Sequence, residues 1–272
     1  MQRARALRGA CASVALALVL SADLLGGCWL VTSDPLEAGP DASTDAPDAD
    51  ASPDAPEAEA GKRFCESLSG MPDFCDDFDD GDASDDWTKV NLSPADGGAA
   101  ATVELTTDDY VSPPGALRTR TPQGAGAAKA QLVLQLSTAP NSLHLAFDFH
   151  QSVAPGATEL VGLQFGASPN DYDVALFVKD FEPASLTEPS VEPVPAHVFM
   201  TPSTQKKWAH IDLDLTISPP AVTVNVDDGL ALDNVSLDSS AKTGALTLYL
   251  GIYNDVGTES VILFDNVVLD LK

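Results

Sequence analysis

From Arg63 to Lys272 the apolar residues come in short alternating runs, broken every few positions by Gly, Pro, Asn and Asp. Alternation with period two places successive side chains on opposite faces, which is the pattern of a half-buried β-strand and not of a helix. The runs predict strands at Phe74–Asp79, Thr102–Thr106, Ala116–Thr121, Gln131–Leu136, Ser142–Gln151, Glu159–Phe165, Asp173–Lys179, His197–Met200, Trp208–Ile217, Val222–Asp227, Ala245–Tyr253 and Val261–Leu271. Val222 to Leu232 reads as a hairpin with Asp228-Gly229 at its turn. With no amphipathic helix in view, the expectation is an all-β domain over residues 63–272, built as a two-sheet antiparallel sandwich.

The chain ahead of it has a different character. Between Asp41 and Pro56 it repeats Asp, Ala and Pro with almost no bulky apolar side chain. Such a segment cannot bury enough surface to offset its ordering entropy, and like charges and Pro extend it. Residues 28–62 therefore read as a disordered acidic tether whose ends lie roughly 30 Å apart at ~5–6 Å × √n. The formal charge of −27 extends the acidity to the whole chain. It argues against a nucleic-acid partner, which needs Lys and Arg to displace counterions.

Residues 1–27 have the parts of a secretory signal in order: Arg3, Arg5 and Arg8, then an apolar run from Ala10 to Leu20 that is too short to span a bilayer, then small residues. Leu25-Gly26-Gly27-Cys28 resembles the lipobox of bacterial lipoprotein precursors. That resemblance implies cleavage before Cys28, lipidation of its thiol and an anchor in the cell envelope. With Trp29 following, it favours the outer membrane or cell surface over the inner membrane. Cys11 falls in the removed signal and Cys28 takes the lipid. Cys65 and Cys75 are left as an even pair in an oxidising compartment, where a disulfide is the expected state.

Several segments of the domain also resemble concanavalin A-like (LamG-type) jelly-roll domains. They are Phe78-Asp79-Asp80-Gly81 with Trp87, Gly115-Ala-Leu-Arg118, the strand from Trp208 to Leu215, the Val-Asn-Val-Asp-Asp-Gly hairpin and the terminal Phe264-Asp265-Asn266-Val267. Members of that family bind sugars, bind proteins, cleave glycosides or serve as spacers, so the fold does not choose a function. The Glu-x-Asp-x-x-Glu strand of laminarinase-type members is absent; the nearest alternation is His210-Ile-Asp212-Leu-Asp214. The expectation is therefore a non-catalytic recognition module for polysaccharide. The alternatives are a structural or adhesive envelope protein that meets protein partners, and a divergent glycoside hydrolase.

The residues expected to carry recognition are those on polar strand faces. Asp148 and His150 share one face of their strand, Trp208 and His210 one face of another, and Tyr249 and Tyr253 one face of a third. Aromatics with carboxylates and imidazoles suit sugar stacking and hydroxyl bonding. One more expectation comes from the family resemblance: a structural Ca²⁺ between the first strand and the terminal Asp. Asp265, Asn266, Asp77 and Asp79 would supply its oxygens. The alternative for Asp265, which sits mid-strand in an apolar segment, is a bulge where it accepts from backbone N–H groups.

Overall fold

A computed structural model describes residues 62–272, apart from 94–98, 125, 154–155, 167–170, 180–183, 190, 192–193, 195, 200–206, 239–243 and 255–256. The signal peptide, Cys28 and the tether lie outside the described residues. A four-residue helix α1 (Phe64–Ser67) is followed by β1 (Phe74–Asp76), β2 (Lys89–Ser93), β3 (Thr102–Thr106), β4 (Ala116–Thr121), β5 (Ala128–Gln135), β6 (Ser142–Val153) and β7 (Ala157–Phe165). Then come β8 (Tyr172–Lys179), β9 (Ala184–Thr187), β10 (Ala196–Phe199), β11 (Ala209–Ile217), β12 (Pro220–Val226), β13 (Gly229–Ser236), β14 (Leu246–Asn254) and β15 (Ser260–Leu271).

Every pairing is antiparallel, and the strands form two sheets. Sheet A runs β13-β12-β11-β6-β15-β4-β3, with β1 also on β15; sheet B runs β10-β9-β8-β7-β14-β5-β2. The expected all-β jelly-roll sandwich is what forms. Strands β2 and β9 and the second arm of the hairpin, β13, add to the expected set. The hairpin turn lies one residue earlier than expected: Val226 pairs Gly229, and Asp227 and Asp228 take the left-handed backbone with φ 48° and 64°.

The core follows from the alternation. Leu143, Leu145, Phe147 and Phe149 of β6 face inward from sheet A, in register with Leu215, Leu213, Ile211 and Ala209 of β11. Leu246, Leu248, Leu250 and Ile252 of β14 face them from sheet B, each fully buried. Phe147 stacks at tilted angles against Phe149 and Phe264, both centroids 6.1 Å away. Each such side chain contributes about 1.5–3 kcal/mol through burial, so this inner layer sets the register of both sheets.

Two loops close over the outer face of sheet A. The segment that includes α1 is held by the Cys65–Cys75 disulfide, with Cα atoms 5.9 Å apart, and by the Cys65 N–H donating to Asp77 at 3.0 Å. Phe64, Leu68 and Met71 of this segment roof a cavity of about 510 Å³ over His144, Ala146, His210 and Val268. The second loop is pinned by Asp265. Its carboxylate accepts from the Val111 and Ser112 N–H groups at 2.8 and 2.9 Å, from Ser112 Oγ at 3.1 Å and from the Asn266 N–H at 2.8 Å. The pairing of β15 with β6 slips between Asp265 and Val268, where Asn266 has φ 52°. This is a β-bulge that turns a buried carboxylate toward backbone donors.

The disulfide spans a sequence separation of 10 and ties the entering chain to β1. Replacing both cysteines by Ser should lower unfolding free energy by about 2–3 kcal/mol through lost loop closure, measured by denaturant titration. An identical midpoint in the double variant would show that the bridge does not stabilise the domain.

Candidate functional site

The six residues expected to form one recognition face lie on two. Tyr249 and Tyr253 belong to β14 of sheet B; Trp208 precedes and His210 belongs to β11, and Asp148 and His150 belong to β6, all in sheet A. The two groups therefore point out of opposite sides of the sandwich.

On sheet A the polar side chains bond mostly to one another, with His150 Nε2 buried and left without a hydrogen-bond partner among the described residues. His210 Nδ1 lies 2.8 Å from Asp148 Oδ1, and Asn266 Nδ2 donates to Asp148 Oδ2 at 2.8 Å. Asp109 joins His150 Nδ1 at 2.7 Å and accepts from Trp208 Nε1 at 2.8 Å. Asp148 and His150 are only 8 % and 7 % exposed, so neither presents a surface to a polymer. The hydrogen bond that His210 donates to the Asp148 carboxylate raises the His210 pKa. Of the four residues expected around calcium, Asp265 and Asn266 are bonded as described, Asp77 accepts from the Cys65 N–H, and Asp79 accepts at Oδ1 from the Gly115 N–H at 3.2 Å while its Oδ2 is buried without a hydrogen-bond partner among the described residues. Among the described residues no group of three or more His, Cys, Asp or Glu side chains is placed to hold a metal ion.

The outer face of sheet B is open. It holds a groove of about 320 Å³ that runs across β2, β5, β14, β7 and β8, walled by Lys89, Asn91, Lys129, Gln131, Glu159, Gln164, Asp173, Tyr249 and Tyr253. Register brings these side chains together: Asn91 pairs Gln131, Gln131 pairs Gly251, Tyr253 pairs both Lys129 and Glu159, and Gln164 pairs Asp173. Gly251, between Tyr249 and Tyr253 in β14, has φ 128°, and a Cβ there would fall 2.3 Å from the Ala130 carbonyl oxygen, so no other residue fits this point of the strand.

Glu159 reaches the groove because of a second bulge. The β7–β8 register slips between Glu159 and Val161, and the β7–β14 register slips beside it between Leu250 and Tyr253. Leu160 and Val161 are consecutive and both buried, 0 % and 1 % exposed, so alternation breaks there and Glu159 turns outward.

Amides and phenols surround its carboxyl. Gln131, itself 3 % exposed, donates from Nε2 to Glu159 Oε1 at 3.4 Å and accepts from Asn91 Nδ2 at 3.2 Å. Tyr249 Oη donates to Gln164 Oε1 at 3.2 Å, and Gln164 Nε2 donates to Asp171 at 2.7 Å. Lys129 Nζ sits 4.8 Å over the Tyr253 ring. Burial, with repulsion from Asp173, pushes the Glu159 carboxyl up to about 7, against the pull of Lys129 and Gln131. Burial and Asp171 raise Asp173 as well. A carboxyl that holds its proton near neutrality can donate it to a leaving oxygen or take one up, and a neighbouring carboxylate supplies the second role of an acid–base pair.

Of the residues that build this groove, only Tyr249 and Tyr253 stood out in the sequence. Glu159, Gln131 and Gln164 carried a weaker mark, as single polar residues inside otherwise apolar strands.

No protein-family profile matches the chain, and no curated protein matches it. Solved structures do. Cellulose induced protein Cip1 superposes with a TM-score of 0.53 at 12 % identity, over 72 % of this chain and 96 % of that one. Family 7 alginate lyase A1-II′, in complex with its substrate GGMG, superposes with a TM-score of 0.50 at 10 % identity, over 67 % and 91 %. The catalytic domain of an endo-1,3-β-glucanase from Thermotoga petrophila gives 0.49 at 11 %, over 73 % and 96 %. The shared object is the jelly-roll sandwich.

These neighbours correct the expectation of a non-catalytic module. The same sandwich is the fold of an alginate lyase solved with its substrate, so the fold gives no ground for preferring recognition without cleavage.

Among the described residues five carboxyls have raised pKa values for which burial is the leading cause: Asp76 and Asp79 at about 6, Glu159 and Asp265 at about 7, and Asp173. A raised folded-state value means the native state holds the proton more tightly than the unfolded chain does. Their contribution is fully present below the ordinary carboxylate range and is lost as pH rises through 6 to 7. The melting temperature should therefore fall between pH 5 and pH 8, a range read from these values. A melting temperature that climbs across that interval would contradict the assignment.

Proposed function

We propose that this protein cleaves polysaccharide chains in the sheet B groove, with Glu159 as the proton-transferring residue. The observation that supports this reading most is the Glu159 carboxyl itself. It is turned into an open groove by a bulge, bonded to a buried glutamine, and held near 7 beside a second carboxylate. In a hydrolysis, Glu159 protonates the bridging oxygen as the glycosidic C–O bond breaks. Asp173, on the next strand, supplies the second carboxylate, which either activates water or attacks the sugar carbon. Tyr249 and Tyr253 offer ring faces and hydroxyl groups to the sugar. The neighbours named above point the same way, since one of them is a lyase with substrate bound and another a glucanase.

A second reading is favoured by the opposite wall of the groove. The chain has only 14 Lys and Arg, yet Lys89 and Lys129 both line it, beside Asn91 and Gln131. Cations and amides grouped in this way suit the carboxylate of an acidic sugar, whose neutralisation is what an elimination requires.

Incubation with a panel that includes β-1,3-glucan and alginate separates the two chemistries. Hydrolysis yields reducing ends alone, whereas elimination also yields ultraviolet-absorbing unsaturated ends. Glu159→Gln should lower kcat about 10²–10⁴-fold while leaving the fold intact. The wild-type rate should fall on the alkaline side as Glu159 loses its proton at about 7. Full activity in Glu159→Gln would remove Glu159 from the mechanism.

We also propose that the protein is held at the cell envelope through lipid on Cys28. The support is the charged start, the short apolar run and the small residues before that Cys. Cys28→Ser should shift the protein from detergent-extracted membranes to the soluble fraction. A variant that still pellets with membranes would end this reading.

A further inference from the structure

The groove floor beside Glu159 lacks a side chain at a position where the backbone does not call for glycine. Gly162 lies inside β7, pairs Tyr249 on β14 and lines the groove. Its backbone is not in the left-handed region, so any residue could adopt it. Glycine in a strand interior otherwise weakens the strand, and often marks close approach by another group. Here that group is on the page. A Cβ at position 162 would fall 2.8 Å from Glu159 Oε1, 3.6 Å from Glu159 Cδ and 3.5 Å from Tyr249 Cδ2. The bulge turns Glu159 outward, and its side chain then folds back along its own strand into the space over Gly162.

We propose that Gly162 is a positioning residue: the absence of a side chain there leaves the niche in which the Glu159 carboxyl lies, beside Tyr249 and within reach of Gln131. The titratable groups that face this niche are Lys129 from β5, Asp173 from β8, and Tyr249 and Tyr253 from β14. A methyl group at 162 displaces Oε1 out of the niche toward solvent. The obstructed atom is the far end of a flexible side chain, so the strand itself need not move. The displaced carboxyl regains water and loses its proton more readily. The consequence for rate rests on the catalytic reading of the groove; the placement of the carboxyl does not.

The test is a carboxyl ¹³C NMR titration of the full chain, with the Glu159 resonance assigned by its absence in Glu159→Gln. In the wild type this group should titrate at about 7. In Gly162→Ala it should titrate about one unit lower or more. A folded Gly162→Ala in which Glu159 titrates as in the wild type overturns the proposal. Should that variant fail to fold, Glu159→Asp asks the same question from the other side. Its carboxyl is one methylene shorter and withdraws from the niche, so it should titrate about one unit or more below the wild-type Glu159 beyond the roughly half-unit ordinary difference between Asp and Glu, and a drop no larger than that ordinary difference overturns the proposal. Activity separates this inference from the reading beneath it. If the wild type cleaves a polysaccharide, the alkaline limb of its pH profile should move down with the carboxyl in Gly162→Ala. If it cleaves none, the catalytic reading fails, while the titration still decides where the carboxyl lies.

Discussion

A β-strand has two faces, and the core of a sandwich takes one of them. In β6, β11 and β14 that claim is met by an unbroken alternation of Leu, Ile and Phe, and the inward residues interlock across the two sheets. A slip of one residue would turn the whole apolar set to water, so the register admits no drift. The same rule sorts His144, Asp148 and His150 of β6 onto one outer face and Tyr249 and Tyr253 of β14 onto the other. Two of the departures from the rule are informative. At Asp265 and at Glu159 an extra residue breaks the period, and each break redirects a buried carboxyl: one toward backbone N–H groups that need an acceptor, the other toward open groove.

The same rule explains how much could be read from the chain. The strands with clean alternation were legible, and with them the fold class. Strand β2, Lys-Val-Asn-Leu-Ser, does alternate, but it is a short edge strand marked by only two apolar residues, Val90 and Leu92, both of which stay exposed. Alternation also tells which residues share a face of one strand, but not which sheet that strand joins. Trp208 and Tyr249 both stand on polar faces, yet their strands belong to different sheets, so a single recognition surface could not be assembled from the pattern. Glu159 was concealed by a stricter form of the same problem. Read with period two, it shares a face with Val161, Leu163 and Phe165 and looks buried. Only the slip at Leu160–Val161, visible once β7 is paired with β8, moves it to the outer face.

The two outer faces then part in character. Sheet A's is self-sufficient: its histidines and aspartates are bonded to one another, and two loops lie over them. Sheet B's retains unspent capacity, with Lys129, Gln131, Glu159 and Tyr249 gathered around open volume. In a chain with a formal charge of −27, a groove floored by amides and flanked by two lysines is a local exception to the field of the whole molecule.

The disulfide-held segment at the start of the domain gives this division a direction. It crosses sheet A, so the chain enters the sandwich at Lys62 from the side away from the groove. A ligand lying in the groove therefore meets sheet B alone, with the disulfide-held segment on the opposite outer face.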